Sequence, residues 1–141
     1  MIGLTIVYSV MQIPFGIFIL SGFIQALPKE LEDAATIDGC GIFGTFFKIM
    51  LPLSRSGLIT VGIMNALTYW NDYIIPMTLI NSPEKYTVSL GLVFMQGEMQ
   101  YSVDWGILFA ALVISVIPVF LIYIFFQRHI REGLTAGALK G

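Results

Sequence analysis

Side chains able to do chemistry are few in this sequence and stand far apart. One histidine, His129, and one cysteine, Cys40, are too few for a zinc or iron–sulfur site and exclude an internal disulfide framework. No HExxH or GxSxG pattern occurs, and no nucleophile–base pair or set of metal ligands falls within the apolar stretches. No enzyme, cofactor or metal is therefore expected. The chain instead sets single polar residues into long apolar runs. Thr5, Ser9, Gln12 and Gly16 follow i, i+4, i+7, i+11 spacing, as do Val61, Asn65, Thr68 and Asp72, so each set makes one stripe on a helix. Ala111, Ser115 and Pro118 form a small-residue face. In a membrane such stripes either line a path for a polar solute or serve as seams between helices. Gln12, Asn65 and Asp72 are the candidates for a translocation path, with Asp72 suited to a gate or hydrogen-bonding role near an interface.

The elements that must carry these stripes follow from composition. Hydrophobic residues make up 57% of the 141 and charged residues 11%, against about 25% charged in soluble domains. Mean hydropathy is +0.86. Such a chain cannot cover a water-facing surface, and its solvent must largely be lipid. A net charge of −2 offers no basic face, so no nucleic-acid partner is expected. Residues 1–28 contain no charge; no basic residue precedes this run and no small-x-small site follows it, which argues against a signal peptide. About 20 apolar residues cross a bilayer as a helix, so spans are expected over about 2–27, 57–80 and 105–127. Tyr69, Trp70, Tyr73, Tyr101 and Trp105 cluster at span ends, as rings at headgroup level do.

Six of the seven basic residues, Lys29, Lys48, Arg55, Arg128, Arg131 and Lys140, lie in segment 28–56 or in the tail, while the 81–104 segment has only Lys85. The positive-inside rule puts 28–56 and the tail in the cytoplasm and 81–104 outside. Met1 then lies outside with nothing upstream to deliver the first span, so the chain is expected to be the C-terminal part of a longer protein. An ion-coupled carrier would be expected to place charges near the midplane. The three spans hold none there.

Segment 28–56 is longer than a connector needs to be. Pro28 suits the first turn of a helix, and Glu30, Glu32 and Asp33 suit its positive N-terminal end. Leu31, Ala34, Ala35 and Asp38 recur at helical spacing before Gly39, which would permit a tight turn. A second short helix then carries Phe43, Phe46, Phe47, Met50 and Leu51 until Pro52 breaks it. The pair could lie as an amphipathic hairpin on the inner leaflet. Its acidic first helix, which anionic lipid repels, suits a protein partner better.

Asp33-Ala34-Ala35, three residues, Gly39, nine residues, Ile49, one residue, then Leu51-Pro52 resembles the signature cytoplasmic loop of ATP-binding-cassette importer permeases, with Asp33 where the family usually has Glu. Trp70-Asn71-Asp72, Trp105-Gly106 and the ending Gly133-Leu134-Thr135-Ala136-Gly137-Ala138-Leu139-Lys140-Gly141 look like the maltose-type sugar branch. The resemblance covers essentially the whole chain and matches the C-terminal half of permeases with about six spans. It implies an all-α, multi-pass membrane helical bundle, a partial type I ABC importer transmembrane domain over 1–141, in a bacterial inner or plasma membrane. It further implies a permease subunit that is not itself an enzyme, whose partners are cytoplasmic ATP-binding subunits, a second permease subunit, an external solute-binding protein and membrane lipid. In that family the ATP-binding subunits hydrolyse ATP. By resemblance, Asp33 would be a charged contact to the ATPase, and Leu31, Ala34 and Ala35 would pack into its groove. Gly39 would shape the turn, and Ile49, Leu51 and Pro52 would seat the loop on the permease itself. A permease for another small solute, or a channel or carrier not driven by ATP, is the alternative.

Overall fold

The computed structural model describes residues 1–98 and 104–138, with side chains through Gly97 and from Asp104 to Arg131. Tyr101 and Lys140, together with Leu139 and Gly141 of the C-terminal motif, lie outside the described residues. Among the described residues all regular structure is helical. Helix α1 (Ile2–Gln25) is about 36 Å long at 1.5 Å per residue, enough for a hydrocarbon core of about 30 Å. It ends before Leu27-Pro28, because the residue preceding a proline is pushed out of the α region.

The 28–56 segment folds into α2 (Glu30–Ile37), α3 (Ile42–Thr45), a π-helical turn (Phe46–Met50) and α4 (Leu51–Leu53). The helical path therefore passes through Pro52 instead of breaking there. Proline removes one N–H and crowds the carbonyl four residues back. That residue, Lys48, lies inside the wider π turn, which relieves the crowding. The interruption comes two residues later at Ser54, where the chain bends by 69° into α5 (Arg55–Asn71).

The apolar stretch 57–80 is not one helix. After α5 the chain leaves helical geometry at Asp72 and Tyr73 and resumes as α6 (Ile74–Leu79). Pro76 explains the location, since a continuous helix would drive its ring into the carbonyl of Asp72, four residues back. In the first turn of a new helix the missing N–H costs nothing. The 81–104 segment contains a 3₁₀ turn (Pro83–Lys85) and α7 (Val88–Glu98). Helix α8 (Trp105–Ala138) starts at Asp104, whose Oδ1 accepts from the amides of Gly106 and Ile107 at 3.0 and 3.2 Å, as an N-cap does. The basic tail continues α8 to Ala138. By length and composition two helices, α1 and Trp105–Arg131 of α8, can cross a membrane, or up to three spans if the bent pair Ile42–Leu53 and Arg55–Asn71 counts as one.

Two compact units divide the chain. In the one formed by Met1–Gln12 and Asn65–Gln127, Leu4, Ile80 and Leu90 make a buried cluster with Tyr8, Ile75 and Tyr86 packed against it. Tyr86 stacks on Phe94 at 4.7 Å. Trp70 donates its indole N–H to the Ser115 carbonyl at 3.0 Å and accepts a hydrogen bond from the Ser89 hydroxyl on its own carbonyl. Trp70 thus ties α5 to α7 and α8, where the sequence suggested only an interfacial ring. The second unit comprises Ile13–Met64 and the residues from Arg128 onward. There α1 and α5 approach so closely that a Cβ at Gly57 would lie 2.8 Å from the Phe23 ring. The buried Thr60 donates from Oγ1 to the His129 carbonyl at 2.9 Å, joining α5 to α8.

Candidate functional site

The knuckle formed by α2, α3 and the turn between them carries most of the loop residues singled out above. α2 places Glu30, Glu32 and Asp33 in its first turn, where carboxylates meet the positive end of the helix dipole. All three are exposed. Gly39 sits at φ +78°, the only positive φ among the described residues, a conformation that an L side chain strains. The reversal is fastened by amides of Asp38, Gly39 and Cys40 donating to carbonyls of Ala34, Thr36 and Ala35 at 2.9–3.1 Å, in the manner of helix C-caps.

The geometry separates the predicted residues into two groups. Ala35 is buried, and Leu31 is half-buried on the wall of a cavity of about 200 Å³ that it shares with Ile24, Leu27, Ile49 and Met50. Leu31 and Ile49 are thus brought together on the chain's own interior side. Leu51 is half-buried and Pro52 exposed. Asp33 and Ala34 face outward. Beside them the turn presents Ile37, Ile42 and Phe43, which are 85%, 88% and 79% exposed. These three lie outside the docking set expected from the sequence. Their signal was their position flanking Gly39, where a reversal leaves side chains with nothing to pack on.

The second constellation lies around Asp72, which caps α6 by accepting from the Ile74 amide on Oδ1 at 2.9 Å. Its other oxygen accepts from the Tyr8 hydroxyl at 2.8 Å. The Tyr8 ring stacks on Tyr69 at 4.2 Å with 15° between planes, and the Tyr69 hydroxyl donates to the Tyr8 carbonyl at 2.7 Å. The sequence marks Tyr69 only as a headgroup-level ring and gives Tyr8, set in a charge-free run, no local sign of a partner. The available signal was helical spacing: Tyr8 lies four residues before Gln12 and Tyr69 three before Asp72.

Other stripe residues have local roles. Thr5 and Ser9 donate to carbonyls four residues back, Met1 and Thr5, so their hydroxyls are satisfied by their own helix. A Cβ at Gly16 would stand 3.7 Å from Val61, the geometry of a helix seam. Gln12 is half-buried. Asn65 is half-buried too, and its buried Oδ1 has no hydrogen-bond partner. Among the described residues no group of three or more His, Cys, Asp or Glu is arranged to hold a metal ion.

The model of the family described as binding-protein-dependent transport system inner membrane component matches residues 1–135. Among curated relatives, the permease protein of a diacetylchitobiose uptake system of Streptomyces coelicolor is 37% identical, over 98% of this chain and 46% of the relative. An arabinooligosaccharide transport permease of Halalkalibacterium halodurans is 39% identical over 91% and 45%. A sulfoquinovosyl glycerol transport permease of Agrobacterium fabrum is 35% identical over 99% and 48%. The chain spans about half the length of these relatives. No solved structure matches it significantly. The family match covers nearly the whole chain and agrees with its all-α architecture and apolar helices, so this membrane protein belongs to the inner membrane components of binding-protein-dependent transport systems, with the type I ABC importer transmembrane fold.

Proposed function

We propose that this chain is part of the permease subunit of an ATP-driven importer of carbohydrate in a bacterial plasma membrane. It passes solute through the bilayer while separate cytoplasmic subunits hydrolyse ATP. A second permease subunit completes the path, and an external binding protein delivers the solute. Carbohydrate is the substrate class because the named relatives carry diacetylchitobiose, arabinooligosaccharides and sulfoquinovosyl glycerol.

One observation carries the reading: a turn at Gly39 that presents exposed Ile37, Ile42 and Phe43 beside exposed Asp33 and Ala34. Apolar side chains at these exposures are suited to a partner's groove. Asp33 contacts the ATPase surface as a charged group, and Ala34 admits close approach. Leu31, Ala35, Ile49, Leu51 and Pro52 support the knuckle on the permease side, which lets a movement of the ATPase reach the spans as a rigid-body shift. The three carboxylates of α2 oppose an anionic leaflet, which favours protein over lipid as the occupant. On the path, Asn65 offers an unpaired acceptor to a solute hydroxyl or to the second permease. Gln12 offers a polar amide, and Asp72 acts as a gate residue through its hydrogen bonds.

The test is Gly39→Pro in the complete reconstituted transporter. Proline cannot adopt φ +78°. The variant should reach the membrane, yet lose more than about tenfold of its solute-stimulated ATP hydrolysis. Normal stimulation would overturn the coupling role. Cys40 supplies an independent check of sidedness. A membrane-impermeant maleimide should label it in inverted vesicles, and labelling only from the cell exterior would remove the knuckle from the ATPase.

A further inference from the structure

The break between α5 and α6 is held by one side chain that does not belong to either helix. In hydrocarbon a broken helix leaves backbone groups that must find partners. Asp72 supplies one with Oδ1, at 2.9 Å from the Ile74 amide. Its Oδ2 is committed to the Tyr8 hydroxyl at 2.8 Å. Tyr8 is held by stacking on Tyr69 and by the hydrogen bond from the Tyr69 hydroxyl to its carbonyl. Its ring also packs against the buried cluster that contains Ile80, the residue that follows α6. Tyr8 therefore meets the break on both sides, through the capping carboxylate before α6 and the apolar cluster after it.

We propose that Tyr8 is a positioning residue of the transport cycle. Acting through Asp72, it holds the α5–α6 break in the arrangement kept between turnovers, and releasing that contact is part of the transport movement. The cycle itself rests on the permease reading given above. The physical basis lies in what holds and what can yield. Element-terminal residues such as Asp72 and Tyr73 absorb backbone changes when helices shift. A single hydroxyl–carboxylate bond to a half-buried carboxylate can be exchanged for water without disturbing a packed core. A hydrogen bond to a charged acceptor contributes about tenfold or more in an equilibrium constant, which is enough to set the resting population of a two-state element.

The experiment uses the complete transporter in proteoliposomes with its ATP-binding subunits and binding protein. Tyr8→Phe keeps the ring, the stack and the apolar contact but removes the donor. Basal ATP hydrolysis, without solute or binding protein, should rise about tenfold, while the stimulated rate stays within about twofold. Asp72→Asn keeps one oxygen for the Ile74 amide and turns its NH2 toward the Tyr8 hydroxyl, which can accept in its place, and should give a smaller rise. A merely structural Tyr8 would lower both rates together and leave their ratio intact, and that outcome overturns the proposal. A second measurement is independent of ATP. With Cys40→Ser as background, Ile80→Cys places a thiol at a site that is 7% exposed. Its labelling by a membrane-impermeant maleimide should be roughly tenfold faster with Tyr8→Phe, in line with the same equilibrium shift. Equal labelling rates would end the proposal. If the wild-type complex showed no solute-stimulated hydrolysis, the permease reading would fail, and the labelling pair would still decide the role of Tyr8.

Discussion

At Tyr8, Tyr69 and Asp72 three polar side chains close on one another, whereas at Ile37, Ile42 and Phe43 three apolar side chains stand open. In a water-soluble protein the assignments would be reversed. The difference follows from the solvent each region meets. A polar group without a partner in hydrocarbon costs several kcal/mol, so the first region uses its hydroxyls and its carboxylate within the chain. An apolar group facing lipid costs nothing, but the turn at Gly39 follows a helix whose first turn carries three exposed carboxylates, which belongs in water. Covering an Ile or Phe side chain there stabilises by roughly 1.5–3 kcal/mol each. The first region is complete within the chain, whereas the second leaves its apolar side chains open, as the docking role proposed above requires.

The largest effect that can break this contrast comes from charging the open region. Phe43→Asp should weaken association with the ATP-binding subunits about 100-fold, as loss of a central apolar contact does. Unfolding of the permease itself should change by less than about 0.5 kcal/mol, because Phe43 is 79% exposed. Association measured by co-purification and titration in detergent checks both halves. Unchanged binding would mean that the exposed apolar residues face lipid.

The closed region should respond the other way round. Asp72→Ala removes the acceptor of the Tyr8 hydroxyl and the cap of α6 at once. A loss of about 2 kcal/mol in folding stability is expected, with subunit association intact. Denaturation in mixed micelles reads it, and a loss below about 0.5 kcal/mol would show that the cluster's hydrogen bonds exchange freely with other partners. Gly57→Ala separates scaffold from docking surface within the unit that carries the knuckle. Its Cβ would meet the Phe23 ring at 2.8 Å, so the ring must shift, at a cost of about 1–2 kcal/mol. Phe23→Leu should restore most of that loss. Association should be unaffected by either change, and failure of the suppressor would place the strain elsewhere.

How much of this was legible in the sequence depends on the range of the interaction involved. The charge-free run 1–28 and the run 105–127 become α1 and most of α8, because in lipid a long apolar segment has no option but the helix. The reversal at Gly39 was readable from a glycine set between two short helical patterns. Asp72 stands out by its charge, yet Tyr8 lies 64 residues away from it, and no local pattern reports a pairing at that separation. Trp70 likewise finds the Ser115 carbonyl 45 residues on. Pro52 reads locally as a stop but is absorbed by a π turn, whereas Pro76, within an apolar run, has a ring that excludes a continuous helix through Asp72. The inward faces of Leu31 and Ala35 depend on α1 and the π turn packing beneath α2, which helical spacing within α2 cannot specify.

The smallest expected effect tests how strongly one polar contact between helices holds in this setting. Thr60 is 2% exposed and donates to the His129 carbonyl at 2.9 Å across α5 and α8. Thr60→Val keeps the shape and removes only the donor. The carbonyl remains within α8 and can keep a helical partner through its second lone pair, so no acceptor is stranded. Interhelical hydrogen bonds in membranes average about 0.6 kcal/mol, and the variant should lose about that much in micelle denaturation. A loss above about 1.7 kcal/mol, the upper end for such bonds, would mean that the carbonyl depends on Thr60. The contact would then hold α5 to α8 more firmly than an ordinary seam between helices.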